Sequence, residues 1–442
     1  MALRLDQQAP EGIRTAGWRA FQLGVLLLSS SALLAGLSLL LSLTLWRPRH
    51  QPTPWSRPEA RWLTALSAVL LLGTAVQAQA GALAWLGLFN WLPFFWFFLA
   101  ARPYLATSAA RRRIAFWLCA ATVPLVVVGW LQFALGWSTE LNALGGLIRW
   151  PMHEARTGTS LFDNPNQTAA WLAVVMPFLA DRCLLRGQAL GSRLLALLLA
   201  VSALGSLVLS ASRNAISTVL LSWPLSAGRR LRLLVLALLV GYGVLVLLRL
   251  LGLHPPAVNG LIGLLVPDAL INKLSDMNGH NADAAMATLP YGRREVIYHH
   301  AFRWLGQFPL FGVGEQGFAS LYNARLIAQF GGEPPRGLIM HAHSLPLEFA
   351  LSHGLPALLL LAWLIGRHLA QATRRWLQQR LHASDRSWLL AALVLVWLNI
   401  WDVPFFDSRL NIMGWMLIAA LSQMTGPGSD PSASPGSAPG QR

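Results

Sequence analysis

The chain has 442 residues, of which 55% are hydrophobic and only 12% are charged, and it carries a formal net charge of +16. Soluble domains average about 25% charged residues, so the composition excludes an ordinary soluble protein. The sequence instead contains repeated runs of about 20 apolar residues, each long enough to cross roughly 30 Å of hydrocarbon. We therefore predict an all-α polytopic membrane protein.

The positive charge does not indicate a nucleic-acid partner. Lys273 is the only lysine, and much of the arginine lies in short loops between apolar runs. This is the distribution described by the positive-inside rule. We expect contacts with membrane lipids and none with nucleic acid.

The first apolar run, 17–46, is long for one span and short for two. It predicts either a single crossing or a hairpin that turns at residues 29–31. Further apolar runs follow at about 62–80, 82–101, 113–136, 166–182, 191–210, 213–226, 231–253, 342–366, 387–404 and 408–424. The chain therefore has about eleven or twelve predicted transmembrane helices.

Counting crossings from a cytoplasmic loop 47–61 places every arginine-rich short loop on the cytoplasmic side. A crossing number of twelve would put both chain ends there. The predicted organisation has four parts: an N-terminal bundle 1–253 with an outer turn 137–164, an outer segment 254–340, C-terminal transmembrane helices 341–424, and a Gly/Pro/Ser-rich disordered tail 425–442.

The outer segment contains one predicted short amphipathic helix. Glu295 suits its first turn, where a carboxylate complements the helix dipole. Apolar residues then recur at helical spacing from Ile297 to Leu305. Pro309 ends the pattern, and the glycines that follow predict a loose connection.

Two histidines, His341 and His343, stand at the outer mouth of the next span. Histidine exchanges protons near neutral pH, so a general base is one interpretation, and an interfacial polar pair is the other. A metal site would draw on the other histidines of the outer segment, which are His254, His280, His299 and His300. Their spacing matches no metal motif, so we predict no metal.

Arginines form the second group of candidates. Arg213 lies between two apolar runs with almost no loop, where it either reaches the lipid headgroups or binds a phosphate. Arg293 and Arg294 offer a second phosphate contact, and Arg156 offers a third. Asn164 follows Arg156 in a polar turn, where it either binds substrate or caps the next helix.

Four stretches resemble motifs of the O-antigen ligase and polymerase superfamily. They are Gly158-Thr159 with Phe162-Asp163-Asn164-Pro165-Asn166, then Ser212-Arg213-Asn214-Ala215, then Gly292-Arg293 with Pro309-Leu310-Phe311-Gly312-Val313-Gly314, and finally His343-Ser344 followed after nine residues by Gly354-Leu355-Pro356. The last motif ends in Ala357, which departs from the ligase pattern. The resemblance covers roughly residues 150–420.

The resemblance implies a metal-independent glycosyltransferase of the bacterial inner membrane that needs no cofactor. Such proteins transfer a glycan from undecaprenyl pyrophosphate to an acceptor hydroxyl on the periplasmic face, as in lipopolysaccharide biosynthesis. His343 would be the general base, and Arg213 with one of Arg293 or Arg294 would stabilise the pyrophosphate. Arg156, His341 and Asn164 complete the predicted substrate site. The partners would be a lipid-linked donor and a glycan or lipid acceptor.

Three alternatives remain open at this point. A polymerase of the same superfamily would use the same residues on a growing chain. A small-anion transporter, for bicarbonate or a similar ion, would line its path with the arginines, but we find no paired broken helices of the kind many transporters contain. A purely structural subunit leaves the outer arginines and histidines without a role.

Overall fold

A computed structural model describes residues 9–45, 57–137, 139–150, 159–184, 189–210, 212–226, 229–253, 266, 293–332 and 338–425. Within these residues the chain is helical apart from one small antiparallel hairpin, so the predicted all-α polytopic membrane protein is confirmed. The elements are α1 (Thr15–Leu27), α2 (Ala32–Thr44), α3 (Pro58–Gln77), α4 (Ala82–Gly87), α5 (Leu92–Ala101), α6 (Ser108–Leu135), β1 (Leu141–Ala143), β2 (Ile148–Trp150), α7 (Pro165–Leu184), α8 (Leu190–Leu209), α9 (Arg213–Ser226), α10 (Arg229–Leu250), α11 (Arg294–Gln307), α12 (Gly317–Gln329), α13 (Leu345–Leu377), α14 (Ala383–Trp401) and α15 (Ser408–Met424).

Five helical stretches among the described residues are both long and apolar enough to cross a membrane. They are Pro58–Gln77, Ala82–Leu105, Ser108–Leu135, Leu190–Leu209 and Leu345–Leu377. The other helices of the bundle are shorter or less uniformly apolar. The larger span count from the sequence therefore stays a prediction.

The first apolar run folds as a hairpin of two helices with 13 residues each. Gly24 lets them approach closely, since a Cβ there would lie 2.7 Å from Cγ of Leu39. Ser38 Oγ donates to the carbonyl of Ala20 at 2.9 Å, and Ser31 caps α2 by accepting from the backbone N–H of Leu34 at 3.3 Å. Of the two sequence alternatives, the hairpin is the one that forms, and its turn lies beside Ala121, halfway along α6.

Helices α7 and α15 form the interior of the bundle. Helix α7 packs against α6, α8, α9 and α14, and α15 packs against α5, α13 and α14. Bulky aromatic side chains fill the space, including Trp171 and Trp388, which are fully buried. Trp171 satisfies its indole N–H by donating to Oγ1 of Thr122 at 3.1 Å, as a buried polar group requires.

Buried ion pairs join the helices at one end of the bundle. Glu59 lies 3.1 Å from Arg102 and 3.2 Å from Arg367, and Arg111 forms a two-point contact with Asp385 at 2.9 and 2.6 Å. We call this the paired end. The other end holds residues 338–344 and 402–407, and we call it the site end.

Helix α13 is broken at Gly354, whose φ of 84° lies in the left-handed region. The chain at residues 309–314 fills the break. Leu355 N–H donates to the carbonyl of Pro309 at 2.7 Å, and Val313 N–H donates to the carbonyl of Leu351 at 2.7 Å. Backbone approaches backbone so closely here that a Cβ on Gly354 would lie 2.1 Å from the carbonyl oxygen of Leu310. The glycines expected to loosen this connection therefore lock it in place.

This lock fixes α11 over the start of α13. Helix α11 begins at Arg294 with Glu295 in its first turn, as the sequence predicts, and it packs against α13. Helix α12, which the sequence did not predict, joins it in a small separate core. That core contains Ile297, Ala301, Phe318, Tyr322, Leu326, Ile339, Ala342, Leu347 and Leu351.

Candidate functional site

Three titratable side chains meet at the site end, where the chain enters α13 and where α14 stops. Nδ1 of His343 lies 3.7 Å from Oδ1 of Asp402, and the rings of His341 and His343 are 4.5 Å apart with their planes nearly perpendicular. The separation of 3.7 Å is too long for a direct hydrogen bond but short enough for a strong electrostatic interaction. His343 and Asp402 are both partly exposed, so a substrate can reach them.

Backbone contacts hold the two chain segments together. Leu345 N–H donates to the carbonyl of Asp402 at 3.2 Å, and Ala342 N–H donates to Oε2 of the buried Glu348 at 2.7 Å. Between these anchors His343 has a φ of 50°, a left-handed conformation that non-glycine residues adopt rarely. Such a conformation costs on the order of 1–3 kcal/mol and often occurs at functional sites, where the surrounding structure imposes it.

The pKa values of two members of the cluster move in the same direction for different reasons. Burial lowers the pKa of His341 to about 4, and the neighbouring His343 adds to this shift. Burial by itself would raise the pKa of Asp402, but the contacts with His343 and His341 outweigh it and lower that pKa. At neutral pH the cluster therefore contains a neutral His341 and a carboxylate at Asp402.

The structure distinguishes the two adjacent arginines at the start of α11. Nη1 of Arg294 donates to the carbonyl of Trp401, the residue before Asp402, at 2.9 Å, and its guanidinium is close enough to lower the pKa of His341. Arg293 instead pairs with Glu295 at 3.0 Å, and both of these side chains are exposed. Only Arg294 is thus held at the cluster.

Arg213 is the first residue of α9 and is exposed at the site end. Its neighbour Asn214 donates from Nδ2 to the carbonyl of Leu398 at 3.2 Å, one turn before the end of α14. Helix α9 therefore begins beside the last turn of α14, and Arg213 lies at the same end of the bundle as His343. The break between α8 and α9 occurs where the sequence predicts it.

The polar turn before α7 is firmly anchored. Asn164 caps the helix, since its Oδ1 accepts from the backbone N–H of Asn166 at 2.8 Å. Ser160 N–H donates to Oε1 of the buried Gln132 at 2.6 Å, and Thr168 Oγ1 donates to the carbonyl of Thr159. The capping interpretation of Asn164 thus describes its observed contact. Arg156 lies outside the described residues.

Comparison with known families identifies one match. Residues 194–362 match the family model described as O-antigen ligase. Over these residues the chain is similar to the O-antigen ligase family. No curated protein matched the chain.

The region matched to the O-antigen ligase family contains most of the predicted site. It includes Arg213, Arg293 and Arg294, His341 and His343, and it also includes the break in α13. Asn164 lies before the matched region and Asp402 lies after it. This similarity supports glycan transfer of the ligase or polymerase type by a multi-pass membrane protein.

The same cluster has the donors of a metal site. One ligand atom each from His341, His343 and Asp402 lie within 4.8 Å of one another. Two imidazoles and one carboxylate match the protein ligands of some catalytic zinc sites. The positive charge of Arg294, which acts on His341, opposes a bound cation.

Asp402 is the member of the site that sequence reasoning missed. The predicted apolar run 387–404 includes Asp402, although α14 ends one residue before it, at Trp401. A carboxylate near the end of an apolar run is a signal in itself, because acidic residues at membrane depth usually face a cavity or a partner. Its partner, however, comes from a distant part of the chain and is visible only in the fold.

A buried pair of His353 and Glu315 lies next to the break in α13 and helps to position the site. Nε2 of His353 lies 2.8 Å from Oε2 of Glu315, and Trp91 Nε1 donates to Oε1 of the same carboxylate at 3.4 Å. His353 and Glu315 are shielded from solvent on either side of the break in α13. This pair adds a side-chain contact to the backbone lock that positions α11 and the histidine loop.

Proposed function

We propose that this protein transfers a glycan from an undecaprenyl-pyrophosphate carrier to an acceptor hydroxyl, at a site that faces the periplasm of a bacterial inner membrane. The observation that supports this proposal best is the arrangement of a partly exposed His343 beside Asp402 and Arg294. A base, its carboxylate partner and a phosphate-binding cation are the groups that such a reaction needs.

In the proposed step His343 takes the proton of the acceptor hydroxyl. The freed oxygen attacks the anomeric carbon of the carrier-linked sugar, and the bond from that carbon to the pyrophosphate oxygen breaks. The carrier leaves as the undecaprenyl pyrophosphate anion. Attack from the face opposite the leaving group inverts the anomeric centre.

Asp402 is proposed to set the tautomer of the base. Because its carboxylate faces Nδ1 of His343, it favours the tautomer with the proton on Nδ1 and leaves Nε2 free to accept. The carboxylate also stabilises the imidazolium that forms when the proton arrives. It is therefore a positioning residue rather than a catalytic one.

Arg294 and Arg213 are proposed to bind the pyrophosphate. Guanidinium groups match phosphate oxygens with paired hydrogen bonds, and the charge on those oxygens grows as the carrier departs. Arg294 is held beside the base, and Arg213 approaches from the start of α9. In this proposal Arg293 contributes less to pyrophosphate binding, because it pairs with Glu295.

The proposal is tested by restoring a deletion strain with single variants. His343→Ala, Arg213→Ala and Arg294→Ala should each abolish transfer to surface glycan while the protein level in the membrane stays normal. Arg303→Ala is the matched control for Arg294, because it removes an exposed arginine from the same helix. Normal transfer by the His343 and Arg213 variants would refute the assignment.

We further propose that the reaction needs no metal ion. Purified protein treated with a strong chelator should transfer at the untreated rate, and added Mg²⁺, Mn²⁺ or Zn²⁺ should not stimulate it. A rate that falls on chelation and returns with one of these ions would show instead that His341, His343 and Asp402 bind a metal.

The deletion strain also separates a ligase from a polymerase. Long glycans that accumulate on the carrier would identify a ligase, and accumulated single repeat units would identify a polymerase. Anion flux into proteoliposomes that disappears with Arg213→Ala would support the transporter alternative.

A further inference from the structure

A cavity of about 500 Å³ opens at the site end beside the hairpin of α1 and α2. It exists because the hairpin is short. Ser29, in the turn, donates from Oγ to the carbonyl of Ala121, which lies halfway along α6. Helix α6 therefore continues about 20 Å beyond the turn, and the space above the turn remains open.

The small sheet closes one side of this space. Trp150, the last residue of β2, donates from Nε1 to the carbonyl of Ser30 at 2.6 Å. We call the cavity the hairpin recess. Its polar lining includes Ser30, Ser31, Asp163, Gln167, Asp407 and Arg409.

The lining has the chemistry of a sugar site. Asp163 offers a carboxylate that accepts hydrogen bonds, Gln167 offers a carboxamide that both accepts and donates them, and Ser30 adds a hydroxyl. Phe406 supplies an apolar wall. Oε1 of Gln167 is shielded from solvent and has no hydrogen-bond partner among the described residues, a state that buried polar atoms rarely occupy without a ligand or water.

The charges in the recess argue against a phosphate ligand. Arg409 pairs with Asp407 at 2.6 Å, donates to the carbonyl of Leu161 at 2.8 Å and lies 3.6 Å above the ring of Phe162. The other arginine of the lining, Arg149, pairs with Glu140 at 2.7 Å. Both cations are thus compensated, and the carboxylate of Asp163 would repel an anion.

The recess and the histidine cluster share one chain segment. Asp402 belongs to the cluster and Asp407 lines the recess, and the chain between them spans at most about 18 Å. The pyrophosphate-binding arginines lie on other elements, α9 and α11. An extended molecule can therefore place an uncharged part in the recess while it reacts at His343.

We propose that the hairpin recess binds an uncharged sugar of the glycan that is being joined. The inference rests on the proposed glycan transfer, and it adds a site that holds the chain at a distance from the reacting bond. The sugar belongs either to the donor chain or to the acceptor, since both present the same hydroxyl groups.

The test uses full-length protein in lipid nanodiscs, with the carrier-linked glycan extracted from the source cells as donor and their neutral oligosaccharide fraction as acceptor. Asp163→Asn and Gln167→Ala should each raise one KM about tenfold, because each removes hydrogen bonds to the sugar, while kcat stays within a factor of two. Asn166→Ala is the matched control, since Asn166 lies in the same turn and does not line the recess. Thermal unfolding confirms that all variants fold.

A rise in the KM for the donor assigns the recess to the donor chain, and a rise in the KM for the acceptor assigns it to the acceptor. The proposal would be overturned if the folded variants kept both KM values, or if they lost kcat while KM stayed unchanged. Direct binding of the neutral oligosaccharides, measured without donor, separates this inference from the reaction. Wild-type protein that binds them through Asp163 but transfers nothing would support the recess and refute the proposed function.

Discussion

At the scale of single residues, the left-handed backbone of His343 is the feature that positions the candidate site. Its left-handed backbone lies between two anchors, the side-chain oxygen of Glu348 and the carbonyl of Asp402. The same contacts bring Nδ1 to 3.7 Å from the Asp402 carboxylate. Contacts within the protein therefore fix the backbone from which the His343 side chain projects.

Asp402→Asn should lower kcat at least tenfold and leave KM nearly unchanged. The variant keeps the shape of the side chain but loses the charge that stabilises the imidazolium, and proton transfer by a positioned base contributes about 10²–10⁴ in rate. Single-turnover transfer by purified protein measures this effect. Glu295→Gln, an exposed carboxylate at the same end, should keep the wild-type kcat. An equal loss in both variants would mean that net charge matters and the position of Asp402 does not.

From the lowered pKa of His341 we expect this residue to make the folded protein less stable as the pH falls. Its pKa is lowered from the ordinary 6.5 to about 4, so between these values the unfolded chain binds a proton that the folded chain does not. Stability then rises with pH across this window, and it is lost as the pH drops from about 6.5 towards about 4. In thermal unfolding in detergent, the wild type should lose more stability than His341→Gln as the pH drops through this window, because the variant lacks the titrating group. A variant with the same pH profile as the wild type would contradict the shift.

At the scale of elements, the break in α13 is where two of the sequence motifs, Pro309–Gly314 and the one that contains Gly354, contact each other. The chain from Pro309 to Gly314 hydrogen-bonds to α13 on either side of Gly354, and this contact holds α11 and Arg294 over the histidines. The contact is made by backbone atoms, so only glycine fits at its closest points, where a Cβ atom would clash. The motif spacing thus reflects the fit of two chain segments.

Gly354→Ala should unfold the site end. A Cβ would lie 2.1 Å from the carbonyl oxygen of Leu310, and the backbone conformation is unfavourable for alanine. We expect a destabilisation of about 3 kcal/mol or more, measured by thermal unfolding, together with loss of transfer. Gly366→Ala on the same helix has open space around it and should be neutral or slightly stabilising. Similar melting temperatures for the two variants would contradict the lock.

Sequence reasoning could propose a residue where its type and position alone suggest a chemistry. His343 and Arg213 are polar side chains at the boundaries of apolar runs, which makes them candidates without knowledge of their neighbours, and their roles stay predictions. Reasoning failed where the role depends on contact between distant segments. The proposed role of Asp402 depends on its contact with His343, and Gly312 becomes a packing residue only because the chain meets the break in α13. Arg293 and Arg294 have the same chemistry, so only their partners separate them.

For the whole molecule, the hairpin at the start of the chain sets the predicted topology. Because α1 and α2 run up to the turn near Ala121 and back, the chain enters α3 from the side on which it began. The buried ion pairs lie at that paired end, and the histidine cluster lies at the other. The two ends of the bundle thus differ in charge and in chemistry.

Cysteine labelling in intact spheroplasts tests this topology. A membrane-impermeant maleimide should label Met340→Cys at the site end, and it should label Glu11→Cys and Gln379→Cys only after lysis. Cys183 is replaced by serine beforehand, and Cys119 is buried. Labelling of Glu11→Cys and Met340→Cys from the same side would show that the first run crosses once.

The short hairpin has a consequence for the lipid around it. Each of its helices is about 20 Å long, whereas the hydrocarbon layer is about 30 Å thick, and leucines such as Leu37 and Leu40 face outwards. Lipid tails beside these helices cannot keep their full length, so we expect the bilayer to thin at this point of the circumference. Headgroups on the site side would then sink towards the histidines, and a carrier whose polyprenyl tail lies in the thinned leaflet would present its pyrophosphate at the depth of the reacting groups.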